Sequence, residues 1–175
     1  GLADGVPPLS QLLFKDAEPE VRQMAAFALG LIGSLAAVDP LRAALADASP
    51  IVQGRAAEAL GLLGDTASAS VIASMVSARA TDARVGALAA DDLTYPQPLA
   101  VEAFRLGIYA LTRLKAWETL APLLVDPAGQ PVSRWWPVAF ALSRLEDPRA
   151  VPALLALASS PEGRTTRAFA ARGLG

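Results

Sequence analysis

Apolar residues recur through most of this chain at spacings of three and four, the period of a helix buried on one face. Val21, Ala25, Ala28, Leu29 and Ile32 make one such stripe of about 14 residues. An Asp or Ser followed by Pro marks where such helices start, at Asp16 to Pro19 and at Ser49-Pro50. Proline is tolerated in a first turn because the N–H it lacks would have no partner there. Gly33 and Gly64 mark the ends, as the residues best able to take the left-handed C-cap conformation. A shorter helix follows each long one. Asp39-Pro40-Leu41 and Asp147-Pro148 lie at or inside its first turn. Val38, Ala69, Leu120 and Val151 align along it, as do Leu41, Ile72, Leu123 and Leu154, which predicts its buried stripe.

The pattern repeats. Ala25 to Gly33 (AAFALGLIG) recurs as Ala56 to Gly64 (AAEALGLLG), and Tyr109 to Leu114 (YALTRL) recurs as Phe140 to Leu145 (FALSRL), both at a shift of 31 residues. Phe169 to Gly175 is a last partial copy. Leu29, Leu60, Leu111, Leu142 and Leu174 therefore share one position, and Ile32, Leu63, Leu114 and Leu145 another, one turn later. A single helix pair cannot bury both of its apolar faces, so successive pairs must stack into one continuous core. The expected fold is all-α, a right-handed α-solenoid of about four helix pairs with an extra single helix at each end. The expected divisions are a half-repeat at 1–15, repeats at 16–46 and 47–77, an insertion at 78–97, repeats at 98–126 and 127–159, and a half-repeat at 160–175. An array that starts and stops in mid-repeat is expected to be a segment of a longer protein.

The run Pro-Glu-Val-Arg-x-x-Ala-Ala-x-Ala-Leu-Gly-x-Ile-Gly at Pro19 to Gly33 resembles the short bacterial HEAT-like repeats also found in phycobilin lyases. The resemblance covers the chain apart from some 20 residues in the middle. It implies a fold and says little of function, because such repeats serve as scaffolds, docking surfaces and occasional enzymes. The later copies depart from the pattern. Lys115 and Glu146 stand where Gly33 does, so those helix exits are expected to be satisfied differently. Similar segments are attached to peptidyl-prolyl isomerase domains, which makes a purely structural segment beside a catalytic domain one alternative reading.

Composition removes most chemistry. The 175 residues contain no Cys and no His, which excludes disulfides, thiolate nucleophiles, imidazole bases and every Cys- or His-ligated metal site. No catalytic, cofactor-binding or metal-binding residue is assigned, and no enzyme activity or cofactor is expected. No apolar run approaches the ~18 residues needed to span a bilayer, and no membrane role is expected. Net charge is −2, which gives no overall drive toward nucleic acid. The charge is uneven: residues 1–100 carry 6 basic and 11 acidic side chains, and residues 101–175 carry 9 and 6.

What is left points to a protein or peptide partner, or to other domains of the same parent chain. The second helices, such as Ser70 to Met75 and Val151 to Leu157, are nearly uncharged. In this fold they usually line the concave face, where an amphipathic helix or extended peptide would fit. The insertion includes Asp91, Asp92 and Tyr95, and long insertions in repeat proteins often form binding loops. Trp135 and Trp136 fall where other copies carry Arg22, Gln53, Gln23, Gly54 and Arg105. At least one indole is therefore expected outside the shared core. It either covers the inserted loop, the preferred reading, or anchors a partner. Pro137 is expected to kink its helix. Arg outnumbers Lys 13 to 2, which suits bidentate contacts, and Arg22 and Arg167 are expected to join a ladder with Asp of neighbouring units. The candidate partner-binding residues are Trp135, Trp136, Arg134, Tyr95, Asp91, Asp92 and Trp117. The rival enzyme reading is a DNA-binding helical-repeat enzyme of the base-excision type, which would use Trp135, Trp136, Arg134 and Asp91 or Asp92.

Overall fold

The computed structural model describes residues 1–175 as an α-solenoid of eleven helices. They are α1 (Val6–Lys15), α2 (Pro19–Ile32), α3 (Val38–Ala44), α4 (Pro50–Leu63), α5 (Ala69–Ala80), α6 (Ala83–Gly86), α7 (Leu99–Arg113), α8 (Trp117–Leu124), α9 (Trp136–Ser143), α10 (Val151–Ala158) and α11 (Arg164–Leu174). The pairs α2/α3, α4/α5, α7/α8 and α9/α10 follow one another, with α1 and α11 alone at the ends. The first helices of the pairs stack side by side in one layer, and the second helices lie behind them. No helix is long and apolar enough to cross a membrane.

Both first helices with the full motif obey their punctuation. α2 and α4 start at Pro19 and Pro50 and end on Gly33 and Gly64, both left-handed with φ of 73° and 72°. Lys115 and Glu146 take the same conformation, with φ of 53° and 50°. The expectation of a different exit was therefore wrong. The geometry is kept, and a β-carbon bears its cost of about 1 kcal/mol each. Three other expectations need correction. Val151, aligned with Val38, Ala69 and Leu120 in the expected buried stripe, is exposed at the start of α10. Leu123 does not share the buried stripe of Leu41, Ile72 and Leu154. In α8 the fully buried residues are Leu120 and Leu124, a displacement of one residue. Pro137 does not kink a long helix either. It lies in the first turn of a short one, since α9 begins at Trp136.

The stacking depends on small residues at fixed places. A β-carbon added at Gly30 would lie 2.8 Å from Ala59 Cα, and one at Gly61 would lie 2.9 Å from Ala110 Cα. At Gly54 it would lie 2.8 Å from Ala103 Cα, and at Gly173 the same distance from Ser143 Cα. Adjacent first helices thus meet backbone to backbone at these notches, which aligns α2 on α4, α4 on α7 and α9 on α11. In the repeat frame, Arg105 and Thr112 of α7 stand where α4 has Gly54 and Gly61. Close approach to the next first helix is lost there, and α7 and α9 touch sparingly.

The ladder expectation holds in part. Arg22 binds Asp47 through two bonds of 2.8 and 2.9 Å, and Arg42 binds Asp65 through bonds of 3.0 and 2.7 Å. Arg167 instead donates to the carbonyls of Ser160 and Pro161 at 3.2 and 3.0 Å and meets no carboxylate.

A candidate anchor cavity between α7 and α9

The separation of α7 and α9 leaves a half-open cavity of about 770 Å³ in the layer of first helices. Leu62, Tyr109, Trp117, Trp136, Phe140 and Phe169 supply most of its apolar wall. The aromatic rings support one another. Tyr109 and Phe140 meet edge to face at 5.4 Å, Phe140 and Phe169 do so at 5.3 Å, and Trp136 stacks on Phe169 at 6.1 Å. Rings held in this way present a fixed apolar surface at little further entropic cost. Arg105 lies 5.3 Å from the Tyr109 ring centre and is ion-paired with the buried Glu102. Burial raises the Tyr109 phenol above its ordinary value, against the opposing pull of Arg105, so the ring is neutral at physiological pH. The indole Nε1 of Trp136 is buried without a hydrogen-bond partner.

The missing front turns of α9 are replaced by a loop, and the insertion fills the space below it. Trp135 is 1% exposed, and its Nε1 donates to the carbonyl of Asp92 at 2.9 Å. Next to it, the Trp136 amide donates to the Ala90 carbonyl at 2.7 Å. Asp91 reaches across to α11, where its carboxylate accepts the amides of Thr165 at 2.9 Å and Thr166 at 3.1 Å. This does for α11 what an N-cap side chain normally does, because Gly163 at the cap position has none to offer. The Thr166 hydroxyl, fully buried, donates toward the carbonyls of Ala90 and Arg134 at 2.9 and 3.1 Å. Partial burial pushes the Asp91 carboxyl up, but the Thr165 and Thr166 amides outweigh it and hold it below the ordinary carboxylate value.

The seven sequence candidates therefore separate. Trp136 and Trp117 line the cavity. Trp135, Asp91 and the backbone of Asp92 form the clamp that joins insertion, loop and α11, and Trp135 has no surface to offer a partner. The Asp92 carboxylate accepts the Thr94 amide at 2.8 Å and stays below its ordinary value through its bonds to Thr94. Arg134 is exposed near the clamp, with Ser160 Oγ 3.5 Å from its guanidinium. Tyr95 is 85% exposed on the insertion, away from the cavity wall. Sequence reasoning missed Tyr109, Phe140 and Phe169. Their signal was present, since all three are aromatic and each opens a copy of the repeated motif. On the second-helix face Val71, Val151 and Leu155 are exposed, beside a shallow groove lined by Ser70, Ser74, Ser77, Thr81 and Thr119.

The family model for HEAT repeats matches residues 6–91, and that for the PBS lyase HEAT-like repeat matches residues 138–160. No curated protein matches the chain in sequence. Among solved structures, one similar chain belongs to the complex of CpcE and CpcF of phycocyanin lyase from Nostoc sp. PCC7120, with a TM-score of 0.63 and 22% identity. The match covers 95% of this chain and 62% of that one, so this chain spans less than two thirds of its relative. A designed armadillo repeat protein matches with a TM-score of 0.56 and 21% identity over 98% of this chain and 82% of its own. An engineered protein, target OR329, matches with a TM-score of 0.57 and 20% identity over 98% and 78%. At such identities the likeness establishes the fold.

Proposed function

We propose that this chain, which belongs to the HEAT-like repeats of the phycobilin-lyase type, is a docking module that binds a partner protein through the cavity between α7 and α9. The observation that carries this reading is the aromatic wall of Tyr109, Trp117, Trp136, Phe140 and Phe169 around an open volume of about 770 Å³. Large aromatics in a partly open pocket are the residues on which protein association concentrates its free energy. The rest of the chain supports the reading by what it lacks. Its two notable acidic residues are committed to turns and caps, and no His or Cys is present to perform chemistry. The Nostoc relative was determined as a complex of CpcE and CpcF, which agrees with a partner that is itself a protein.

The test is selection of a displayed random peptide library on the wild-type chain, with counter-selection on Trp117→Ala and Leu62→Arg. Both positions are half-buried on the cavity wall, and each variant is first shown to melt as wild type does. Peptides that bind wild type and lose at least about ten-fold in affinity on both variants are expected. Peptides indifferent to both variants would move the site elsewhere, and a library yielding no binders would overturn the docking reading.

A further inference from the structure

The cavity carries charge as well as rings. Arg113, Lys115 and Arg144 lie on its lining, all three exposed, and none has a carboxylate within salt-bridge distance. The opposing lining residues are Glu58 and Glu146. Glu58 is already held by Arg55 at 2.7 Å, which leaves Glu146 as the one carboxylate among three cations without an ion-pair partner, of which Arg144 lies 5.4 Å from the Phe140 ring centre. This positive rim stands out in a chain whose net charge is −2.

A purely structural account would make these cations partners of helix C-terminal dipoles. The array argues against it. α2 and α4 end the same way, on left-handed residues, yet carry no cation in the last turn. Basic last turns also occur in α1, α3, α5 and α11. Among the four exits through a left-handed residue, though, only those of α7 and α9 carry cations: Arg113 in the last turn of α7, Lys115 just past it and Arg144 at the C-cap of α9. Lys115 itself takes a left-handed backbone that glycine would adopt without strain. At the α7 exit a cationic side chain stands where the backbone alone would favour glycine.

We propose that the occupant of this cavity is an acidic segment of a partner protein, which inserts one aromatic or long aliphatic side chain among Tyr109, Trp136, Phe140 and Phe169 and sets carboxylates against Arg113, Lys115 and Arg144. The proposal rests on the docking reading and names the chemistry of its partner. The aromatic wall supplies the anchor, and the rim cations select charge and speed encounter. Arg113 and Arg144 each present a planar fork suited to a carboxylate.

Three labelled peptides with the same central Trp, flanked by Glu, by Ser or by Lys, test it by fluorescence anisotropy. The Glu-flanked peptide is expected to bind about ten-fold more tightly than the Ser-flanked one, and to lose most of that advantage between about 0.05 and about 0.5 M salt. The double variant Arg113→Glu, Arg144→Glu changes only exposed side chains and is expected to reverse the order in favour of the Lys-flanked peptide. Equal binding of the Glu- and Ser-flanked peptides, or an order unchanged by the charge reversal, would overturn the proposal. If that equal binding still weakens in Trp117→Ala, the docking module stands and only the acidic partner falls. If none of the three binds while library peptides do, the cavity is not an acidic anchor.

Discussion

Replacing Trp135 with alanine removes the side chain that holds the insertion to the array. The indole is 1% exposed and is the largest fully buried side chain in the chain. Deleting a buried aromatic of this size costs about 3–5 kcal/mol through lost transfer energy and the cavity left behind. The Asp92 carbonyl also loses its donor at 2.9 Å. That adds on the order of 1 kcal/mol if the group stays dry and little if the insertion swings into water. A domain of this size has a stability of about 5–15 kcal/mol, so the variant should fold but stand close to its limit. Trp135→Phe separates the two contributions, since it keeps a ring and deletes the donor, and it should fall between the variant and wild type. Urea denaturation followed by circular dichroism reads the loss, with the slope against denaturant checked for a change in the unfolded or native state. Limited proteolysis should find the 91–98 segment cut more readily in Trp135→Ala. Trp135 does not line the cavity, so folded Trp135→Phe should keep the peptide affinity of wild type. A loss below about 1 kcal/mol for Trp135→Ala would refute the clamp, because no buried indole can be deleted so cheaply.

Two further perturbations address the cap and the notches. Asp91→Ala should cost about 1 kcal/mol at neutral pH by leaving the first amides of α11 without an acceptor. Because folding lowers the Asp91 pKa, its contribution is complete above the ordinary carboxylate value near 3.8 and is lost as pH falls through the lower folded value. Stability curves of wild type and variant should therefore converge in acid, and a gap that stays constant down to about pH 2 would sink this assignment. At Gly61→Ala, the helix-propensity gain of up to about 1 kcal/mol competes with overpacking of about 1–3 kcal/mol against the Ala110 backbone 2.9 Å away. Thermal melts should show net destabilisation, whereas a stabilised Gly61→Ala would mean that α4 and α7 are not in backbone contact.

Much of the fold was legible because repetition makes the same statement several times. Leu29, Leu60, Leu111 and Leu142 repeat one buried position, and each repeat strengthens the reading of the others. Errors arose where a copy departs from the rule and a distant contact decides the outcome. Lys115 showed that a repeat can impose a left-handed exit on a residue that disfavours it, because the amides of Lys115 and Ala116 close onto the carbonyls of Thr112 and Leu111 as those of Gly64 and Asp65 do onto Gly61 and Leu60. Trp135 and Trp136 are neighbours, yet one is locked to a carbonyl 43 residues earlier and the other forms the cavity wall. Helical periodicity could not separate them, since the front turns of that helix do not exist. Asp91 read as a binding-loop acid because its partners, the amides of Thr165 and Thr166, lie more than 70 residues away.

The cavity itself is encoded in what α7 lacks. Gly30, Gly54 and Gly61 let neighbouring first helices touch, and Arg105 and Thr112 occupy the places of Gly54 and Gly61 at the junction that opens. Both substitutions are visible in the repeat alignment, but their meaning depends on knowing that those positions face the next helix. An array built from identical notches would be closed along its whole length and would have nowhere to seat a side chain. Losing both glycines of this notch opens a gap and shortening α9 widens it, while Trp135 and Asp91 tie the insertion to the loop before α9 and to the start of α11, so that the array beyond, α9 to α11, still stacks. A binding site made in this way costs the fold one junction. Restoring that junction gives a direct test of the logic: Thr112→Gly with Arg105→Ala should let α7 and α9 approach, and should weaken peptide binding although neither change removes an aromatic ring from the wall.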